Sequence, residues 1–372
     1  MNTTKHIKQS ILILSLATLF VGCGGGSSTG TAGGSSTGTA TSTSAPTSKA
    51  VHSGQVKDNN TGNGLANVKV SIGESTTSTD ENGFYTLSDL TANEEVVINF
   101  EKEGYLLGST KIQLKVLSDD NTVSSNYLEY VMRAHKYRWD YESTGEIIGG
   151  SIMIDASYVD IDGNPYSGTI SAELSILDIA TDEGKALFSG AFKGINSNGN
   201  IVQFESYGLT SILLEDSNGN ALSFANGETG TLIFDKISSS ETQNTIPLWY
   251  YDYDQGLWFE EGYAELQEDG TYKGEISHPG TWSLNKPLEE DPGIYSGRII
   301  DENGTPIGDV RVSAVGENWV NSDLTTDENG VFELKVIPGE SFELTAYDYQ
   351  DKYGASYNNT IAAIASGDVV EN

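Results

Sequence analysis

Residues able to carry chemistry are sparse in this chain. It has one cysteine, Cys23, and four histidines, His6, His52, His135 and His278. His135 is followed by Lys136-Tyr137-Arg138 and His278 by Pro279-Gly280-Thr281. Neither forms the His-x-x-Glu or His-Glu-x-x-His spacing that sets zinc ligands side by side. A lone cysteine excludes an intramolecular disulfide and a cysteine-based zinc site. Beyond residue 50 there is no thiol nucleophile, no Gly-x-Ser-x-Gly elbow and no Walker loop. Carboxylates are abundant instead, with 53 Asp and Glu against 20 Lys and Arg. At that density, pairs spaced for glycoside hydrolysis arise from composition alone and identify no active site. The expectation is a non-catalytic protein with no metal and no cofactor.

The formal charge of −33 and the pI near 4.2 exclude a nucleic-acid binder, which needs a basic face to displace counterions from phosphates. They also disfavour adsorption to anionic lipid headgroups. The context of Cys23 points to a different kind of membrane contact. Lys5, His6 and Lys8 precede an apolar run from Ile11 to Phe20, which ends Leu19-Phe20-Val21-Gly22-Cys23. That run is about ten residues, too short for a span of about 20. A small residue directly before a cysteine, after such a run, resembles a bacterial lipoprotein signal. The resemblance implies cleavage after Gly22, a lipid on Cys23, and residues 1–22 as signal peptide. Gly24 follows in place of an inner-membrane retention Asp, which favours the outer membrane, with the protein facing the periplasm or the cell surface.

Residues 23–50 then read as a tether. Gly, Ser, Thr and Ala dominate, and Ser-Ser-Thr-Gly-Thr-Ala occurs at 27–32 and again at 35–40. With no large apolar residue to bury, this segment is expected to be disordered, with a mean reach of about 29 Å.

Beyond it the pattern is all-β. Val68-Lys69-Val70-Ser71-Ile72 and Val310-Arg311-Val312-Ser313-Ala314 alternate with the period of a strand that buries one face. Turn clusters separate such runs, among them Asp-Glu-Asn-Gly at 80–83 and 327–330, Asp162-Gly163-Asn164-Pro165 and Asn218-Gly219-Asn220. Only Ile176 to Phe188 approaches a helical period. An EF-hand needs oxygen ligands at positions 1, 3 and 5, Gly at 6 and Glu at 12, and the acidic turns fail that spacing. They read as Asp side chains bonding turn N–H groups, with Gly at positive φ.

An internal repeat sets the organisation. Leu65, Val68 and Val70 recur as Ile307, Val310 and Val312; Asp80-Glu81-Asn82-Gly83-Phe84-Tyr85 recurs as Asp327-Glu328-Asn329-Gly330-Val331-Phe332. The offset grows between these blocks, so the second copy carries an insertion of about five residues in an intervening loop. The inward sets are Tyr85 and Leu87 in one copy, Phe332 and Leu334 in the other, closed by Leu90 and Ile337. Together with Phe100-Glu101-Lys102-Glu103-Gly104-Tyr105, this pattern resembles the carboxypeptidase regulatory-like domain. The second copy lacks the Lys-x-Gly-Tyr, so its last strand is expected to be altered or shortened. The resemblance covers 51–132 and 293–372. It implies tandem seven-stranded Greek-key β-sandwiches of the prealbumin-like kind, close in architecture to carbohydrate-binding modules, and no catalysis.

The intervening region, 134–290, is similar to an uncharacterised β-rich segment that accompanies such domains in bacterial surface proteins. Its Trp249-Tyr250-Tyr251-Asp252-Tyr253-Asp254-Gln255-Gly256-Leu257-Trp258 reads as an aromatic hairpin. Two readings stand for it. Trp249, Tyr251, Tyr253 and Trp258 form a platform that stacks on sugar faces, or they pack a core, with Trp249 and Trp258 on opposite hairpin faces as one arrangement. The chain is therefore expected to be an envelope scaffold or spacer with a protein or polysaccharide ligand. The alternatives are a carbohydrate-binding module and an accessory subunit of a separate envelope enzyme.

Overall fold

A computed structural model describes residues 49–92, 94–114, 126–144, 147–149, 151–235, 243–308, 310–347 and 356–371. Cys23, the signal segment and nearly all of the tether lie outside the described residues. What is described is almost entirely β, as the periodicity requires. The first unit contains β1 (Lys49–Asp58), β2 (Lys69–Ile72), β3 (Ser75–Ser78), β4 (Phe84–Thr91), β5 (Glu95–Glu101), β6 (Gly108–Gln113) and β7 (Asn126–Met132). They pack as a three-stranded sheet β4-β1-β7 against a four-stranded sheet β3-β2-β5-β6. Alternation along β1 places one face inward, and its Val56 joins Val70, Tyr85, Leu87, Ile98, Phe100 and Met132 of the other strands in one closed core.

Among the described residues, fourteen strands form the central unit. In order they are β8 (Tyr137–Glu142), β9 (Ile147–Gly149), β10 (Ile152–Ile154), β11 (Tyr158–Val159), β12 (Pro165–Tyr166), β13 (Thr169–Leu177) and β14 (Lys193–Ile195). They continue with β15 (Ile201–Asp216), β16 (Ser223–Phe224), β17 (Gly230–Phe234), β18 (Thr245–Asp252), β19 (Leu257–Leu266), β20 (Tyr272–Ile276) and β21 (Gly280–Pro287). One long sheet runs β8-β13-β15-β21-β18-β19-β20-β17-β10-β9, with β14 joined to β15 and β19. Ile170 on β13 and Ile152 on β10 lie far apart along that path yet share one core. The sheet therefore curls around its own apolar face, and the small sheet β12-β11-β16 adds Tyr158 and Phe224 to that core.

The segment with helical period, 176–188, is mostly not a helix. β13 runs to Leu177, the Asp178 carboxylate then turns the chain by accepting Ala180 N–H at 3.0 Å, and only Asp182–Ala186 forms a short helix, α1. The Thr181 hydroxyl caps it by accepting Gly184 N–H at 3.0 Å.

The last unit repeats the first. It contains β22 (Gly293–Arg298), β23 (Arg311–Val315), β24 (Val320–Thr325), β25 (Val331–Val336), β26 (Phe342–Tyr347), β27 (Ser356–Ile361) and β28 (Val369–Glu371). Its sheets, β25-β22-β28 and β24-β23-β26-β27, match those of the first unit strand for strand. Gly54 pairs with Tyr85 in one copy and Gly297 with Phe332 in the other. Phe332, Leu334 and Ile337 are buried, as are Tyr85, Leu87 and Leu90. The insertion of about five residues is not confined to a loop: Gly316–Trp319 replace the two-residue turn Gly73-Glu74, which adds two, and β23 is longer than β2 by one residue and β24 longer than β3 by two. β7 pairs with β1 over seven residues, whereas β28 pairs with β22 over three.

Candidate functional site

The aromatic hairpin is β18 and β19. Its tip is built by Asp252, whose Oδ1 accepts the N–H groups of Asp254 and Gln255, both at 2.9 Å. Gly256 closes the tip at φ 59°, donating its N–H to Asp252 O at 2.8 Å. Tyr251 pairs with Trp258, and Trp249 with Glu260. That register puts Trp249, Tyr251 and Trp258 on the same face, not on opposite ones.

None of the four platform candidates offers a ring to a sugar. Trp249 and Trp258 are 0 % exposed, Tyr251 3 % and Tyr253 9 %. The physical reason is that neighbouring elements cover this hairpin face. Phe188 stacks 4.9 Å from Trp258, and Phe204 lies 5.2 Å from Trp249. Both indole N–H groups are satisfied inside, Trp249 by Asn285 O at 3.1 Å and Trp258 by Ser189 O at 2.9 Å. The opposite face is aromatic too: Tyr250 stacks on Phe259 at 5.5 Å and meets Trp282 at 5.8 Å. Trp282 belongs to the core of the central unit, and Tyr250 packs against it.

The tip joins the central unit to the first sandwich. Tyr251 OH donates to Ser109 Oγ at 3.2 Å, and Tyr253 OH lies 3.3 Å from Leu107 O and 2.8 Å from Thr281 Oγ1. Asn99 Nδ2 donates to Tyr253 O at 2.9 Å, and Gly190 N to Ser109 O at 3.1 Å. Leu106 of the first sandwich shares one apolar cluster with these rings and with Tyr295, Trp319 and Phe342 of the last. Burial pushes the Tyr253 phenol up, so it stays a neutral hydrogen-bonding group.

The acidic turns are one motif used six times. Asp80, Asp160, Asn196, Asp216, Asp301 and Asp327 each accept, on Oδ1, the N–H groups two and four residues later, at 2.7–3.1 Å. In each the glycine three residues on has φ between 72° and 82°. The sequence signal is Asp/Asn-x-Asn/Asp-Gly, which also marks the two loops overlooked above, 196–199 and 301–304. Asn164 holds the exposed Asp160 carboxylate below its ordinary range through its side chain and its N–H, and the Thr305 N–H does so for Asp301. For Asp216, burial acts upward, but the bonds from Asn220 and Asn218 outweigh it. The carboxylates thus serve backbone donors, and among the described residues no three His, Cys, Asp or Glu are grouped to hold a metal.

One charged cluster carried no sequence signal. Glu173 on β13 is buried, with Oε1 2.9 Å from Arg138 on β8 and Oε2 3.3 Å from His135 Nε2. The other ring nitrogen of His135 lies 3.0 Å from Ser175 Oγ. Burial lowers His135 to about 4, so Arg138 supplies the positive charge. Burial raises Glu173, opposed by Arg138 and reinforced by Glu103 of the first sandwich. Glu215 on β15 is pushed up to about 7, first by burial and then by Glu173. The side chains of His135 and Glu173 are only 5 % and 3 % exposed, so the cluster presents no open acid–base pair to a substrate. It sits where His135 N donates to Gly104 O at 2.9 Å and Leu106 N to Arg133 O at 2.8 Å, stitching the linker to the first sandwich.

No family model matches the chain, and no curated protein matches it. Solved structures similar to it include the Bacillus anthracis TIE protein, at 12 % identity over 87 % of this chain and 50 % of that one, with a TM-score of 0.20. The chain thus spans about half the length of that protein. Others are BcpA, the major pilin subunit of Bacillus cereus (13 % identity, 87 % and 98 % covered, TM-score 0.18), and the major pilin SpaD from Corynebacterium diphtheriae (9 %, 87 % and 96 %, 0.21). Likeness at this level carries no argument about activity or partners. The fold itself defines an all-β chain of two matching sandwiches flanking a curled central sheet.

Proposed function

We propose that this chain is a non-catalytic cell-envelope lipoprotein that acts as a scaffold or spacer, anchored by a lipid on Cys23 and extended from the outer membrane by its Gly/Ser/Thr-rich segment. Its two sandwiches belong, in this reading, with the carboxypeptidase regulatory-like domains. The supporting observation is the use made of the aromatic hairpin. The side chains best suited to grip a ligand, Trp249, Tyr251, Tyr253 and Trp258, are instead buried where the units meet. A continuous apolar cluster across the joints holds the units as one block, which suits a protein whose role is to set distance and orientation. Protein or polysaccharide partners would then bind exposed surface elsewhere, and a sugar platform on the hairpin has no support.

Membrane fractionation together with protease treatment of intact cells tests this reading. The expected result is that the parent chain sediments with outer membranes while Cys23→Ser is released with an unchanged fold. A Cys23→Ser chain that still fractionates with membranes overturns the anchor.

A further inference from the structure

Asn-Gly occurs seven times in the chain, with Asn at 63, 82, 198, 218, 226, 303 and 329. A glycine after asparagine leaves the asparagine side chain open to attack by its own backbone. The glycine nitrogen can close on the side-chain carbonyl carbon, because no Cβ on the glycine stands in the way. Exposure does not rank the seven, since every one of these asparagines is exposed. Glycine φ does not rank them either: it lies between 72° and 84° in all but Gly64.

What separates them is the hydrogen bonding of the peptide that has to turn. Five belong to the Asp/Asn loops, where the glycine N–H is held. Gly83 donates to Asp80 O at 3.0 Å, Gly199 to Asn196 O at 2.8 Å, and Gly219 to Asp216 O at 2.9 Å. Gly304 donates to Asp301 O at 3.0 Å and Gly330 to Asp327 O at 2.9 Å. The asparagine N–H of each loop is tied as well, to the leading Asp or Asn side chain. Asn63 is held in another way. Its N–H donates to Thr61 Oγ1 at 3.3 Å, and its O accepts Asp58 N–H at 2.9 Å. Gly64 then lies so close to the 82–83 turn that a Cβ on it would collide with Asn82 O.

Asn226 stands apart. It is the second residue of the turn 225–228 between β16 and β17, which Glu228 N–H closes onto Ala225 O at 3.0 Å. The base of that turn is pinned to Ser157. Ala225 N–H donates to Ser157 O at 2.7 Å, and Ser157 N–H donates to the Glu228 carboxylate. Between these anchors the 226–227 peptide neither donates nor accepts a hydrogen bond among the described residues. A Cβ on Gly227 would meet nothing within 4 Å, so the peptide also has room to rotate.

We propose that Asn226 is a site of spontaneous deamidation in the folded chain, and that the fold shields the other six Asn-Gly pairs. The Gly227 nitrogen, its proton taken by hydroxide, bonds to Asn226 Cγ. The Cγ–Nδ2 bond breaks, and the side-chain nitrogen leaves as ammonia. The succinimide so formed takes up water at either carbonyl and opens to aspartate or isoaspartate. Water is consumed and ammonia released, with no oxidation or reduction. The turn gains a carboxylate beside Glu228. The isoaspartate form also adds a carbon to the backbone, which works against closure by Glu228 N–H.

Peptide mass mapping of the full chain during incubation at mildly alkaline pH tests this, with the same chain unfolded in urea as the reference for each site. Asn226 is expected to convert in the folded chain at nearly its unfolded rate and to yield isoaspartate. The other asparagines are expected to slow by about tenfold or more on folding, because reaction there waits for local opening. Asn226→Gln closes a larger ring far more slowly, so it is expected to remove isoaspartate from that peptide and leave the others unchanged. Three results overturn the proposal: Asn226 slowed by folding as much as the loop asparagines, another asparagine outrunning it in the folded chain, or aspartate without isoaspartate at 226.

Discussion

Tyr251 and Ser109 are 142 residues apart in sequence and meet at 3.2 Å, hydroxyl to hydroxyl, both buried between the first sandwich and the central unit. The Ser109 N–H donates to Tyr130 OH at 3.0 Å, so through Ser109 one short chain of hydrogen bonds ties β6 and β7 to the aromatic hairpin. Buried networks of this kind fix orientation, because each misplaced member leaves an unpaired polar atom.

The first prediction concerns that pair. Tyr251→Phe and Ser109→Ala each remove one hydroxyl with little change in volume. A double-mutant cycle read by urea unfolding of the full chain should give a coupling of about 0.5–1.5 kcal/mol. Additive effects would show that the two hydroxyls do not act together across the joint.

Trp249→Ala and Trp258→Ala should each cost roughly 3–5 kcal/mol, because each empties an enclosed site. The two should behave alike, since they share one buried face. A glycan array on the parent chain should show no signal that either variant abolishes. A glycan signal lost in a variant that melts normally would restore the platform reading.

Glycines in the six Asp/Asn loops separate conformational strain from collision. A Cβ on Gly83 would lie 2.3 Å from Val56 O, and one on Gly330 2.3 Å from Ile299 O, whereas Gly163, Gly199, Gly219 and Gly304 have open space there. Alanine at the open positions should cost about 1 kcal/mol for positive φ alone. Gly83→Ala and Gly330→Ala should cost distinctly more, in the range of about 2–4 kcal/mol once backbone must shift. Equal melting shifts at all six positions would contradict the close approach of these two turns.

Much of the fold was legible because its signals are local. Tyr85 and Leu87 are two residues apart on a strand that buries one face, and their counterparts Phe332 and Leu334 repeat the pattern, so the core could be read directly. Legibility failed where burial depends on partners distant in sequence. Period two says that one face of β18 is inward; it does not say that the first sandwich and the 188–192 segment cover the other, so Trp249 and Trp258 admitted an exposed reading. Glu173 is the extreme case. Ser171-Ala172-Glu173-Leu174-Ser175 reads as an ordinary strand with a polar outer face, and only tertiary packing puts that face under His135 and Arg138.

Glu215 gives a dependence on pH. Its value in the folded chain, about 7, lies above that of an unfolded glutamate. Its stabilising contribution is therefore complete below about pH 4.5 and is lost as pH rises through 7. His52 and His135, both lowered to about 4 by burial, act with the opposite sign, contributing above about 6.5 and losing that contribution as pH falls through 4. Comparing Glu215→Gln with the parent chain cancels the histidines. Glu215 is only half-buried, so solvent screening reduces the effect, and between pH 4.5 and pH 8 the variant should gain roughly 1–2 kcal/mol relative to the parent in urea unfolding. A difference independent of pH would place the proton elsewhere.

The parallel pairing of β1 with β7 bears on how the first sandwich meets mechanical load. Parallel neighbours send the chain in at one end of the unit and out at the other. A pull between residues 49 and 132 therefore slides the two strands along each other instead of peeling them apart. The ladder from His52–Asn126 to Asp58–Met132 is strained along its whole length at once. An antiparallel hairpin pulled at its open end yields one bond after another, whereas this arrangement yields only when many bonds break together. β22 and β28 run the same way in the last unit. A unit wired in this manner resists tension along its strands, which suits a connector stretched between a fixed point and something that moves.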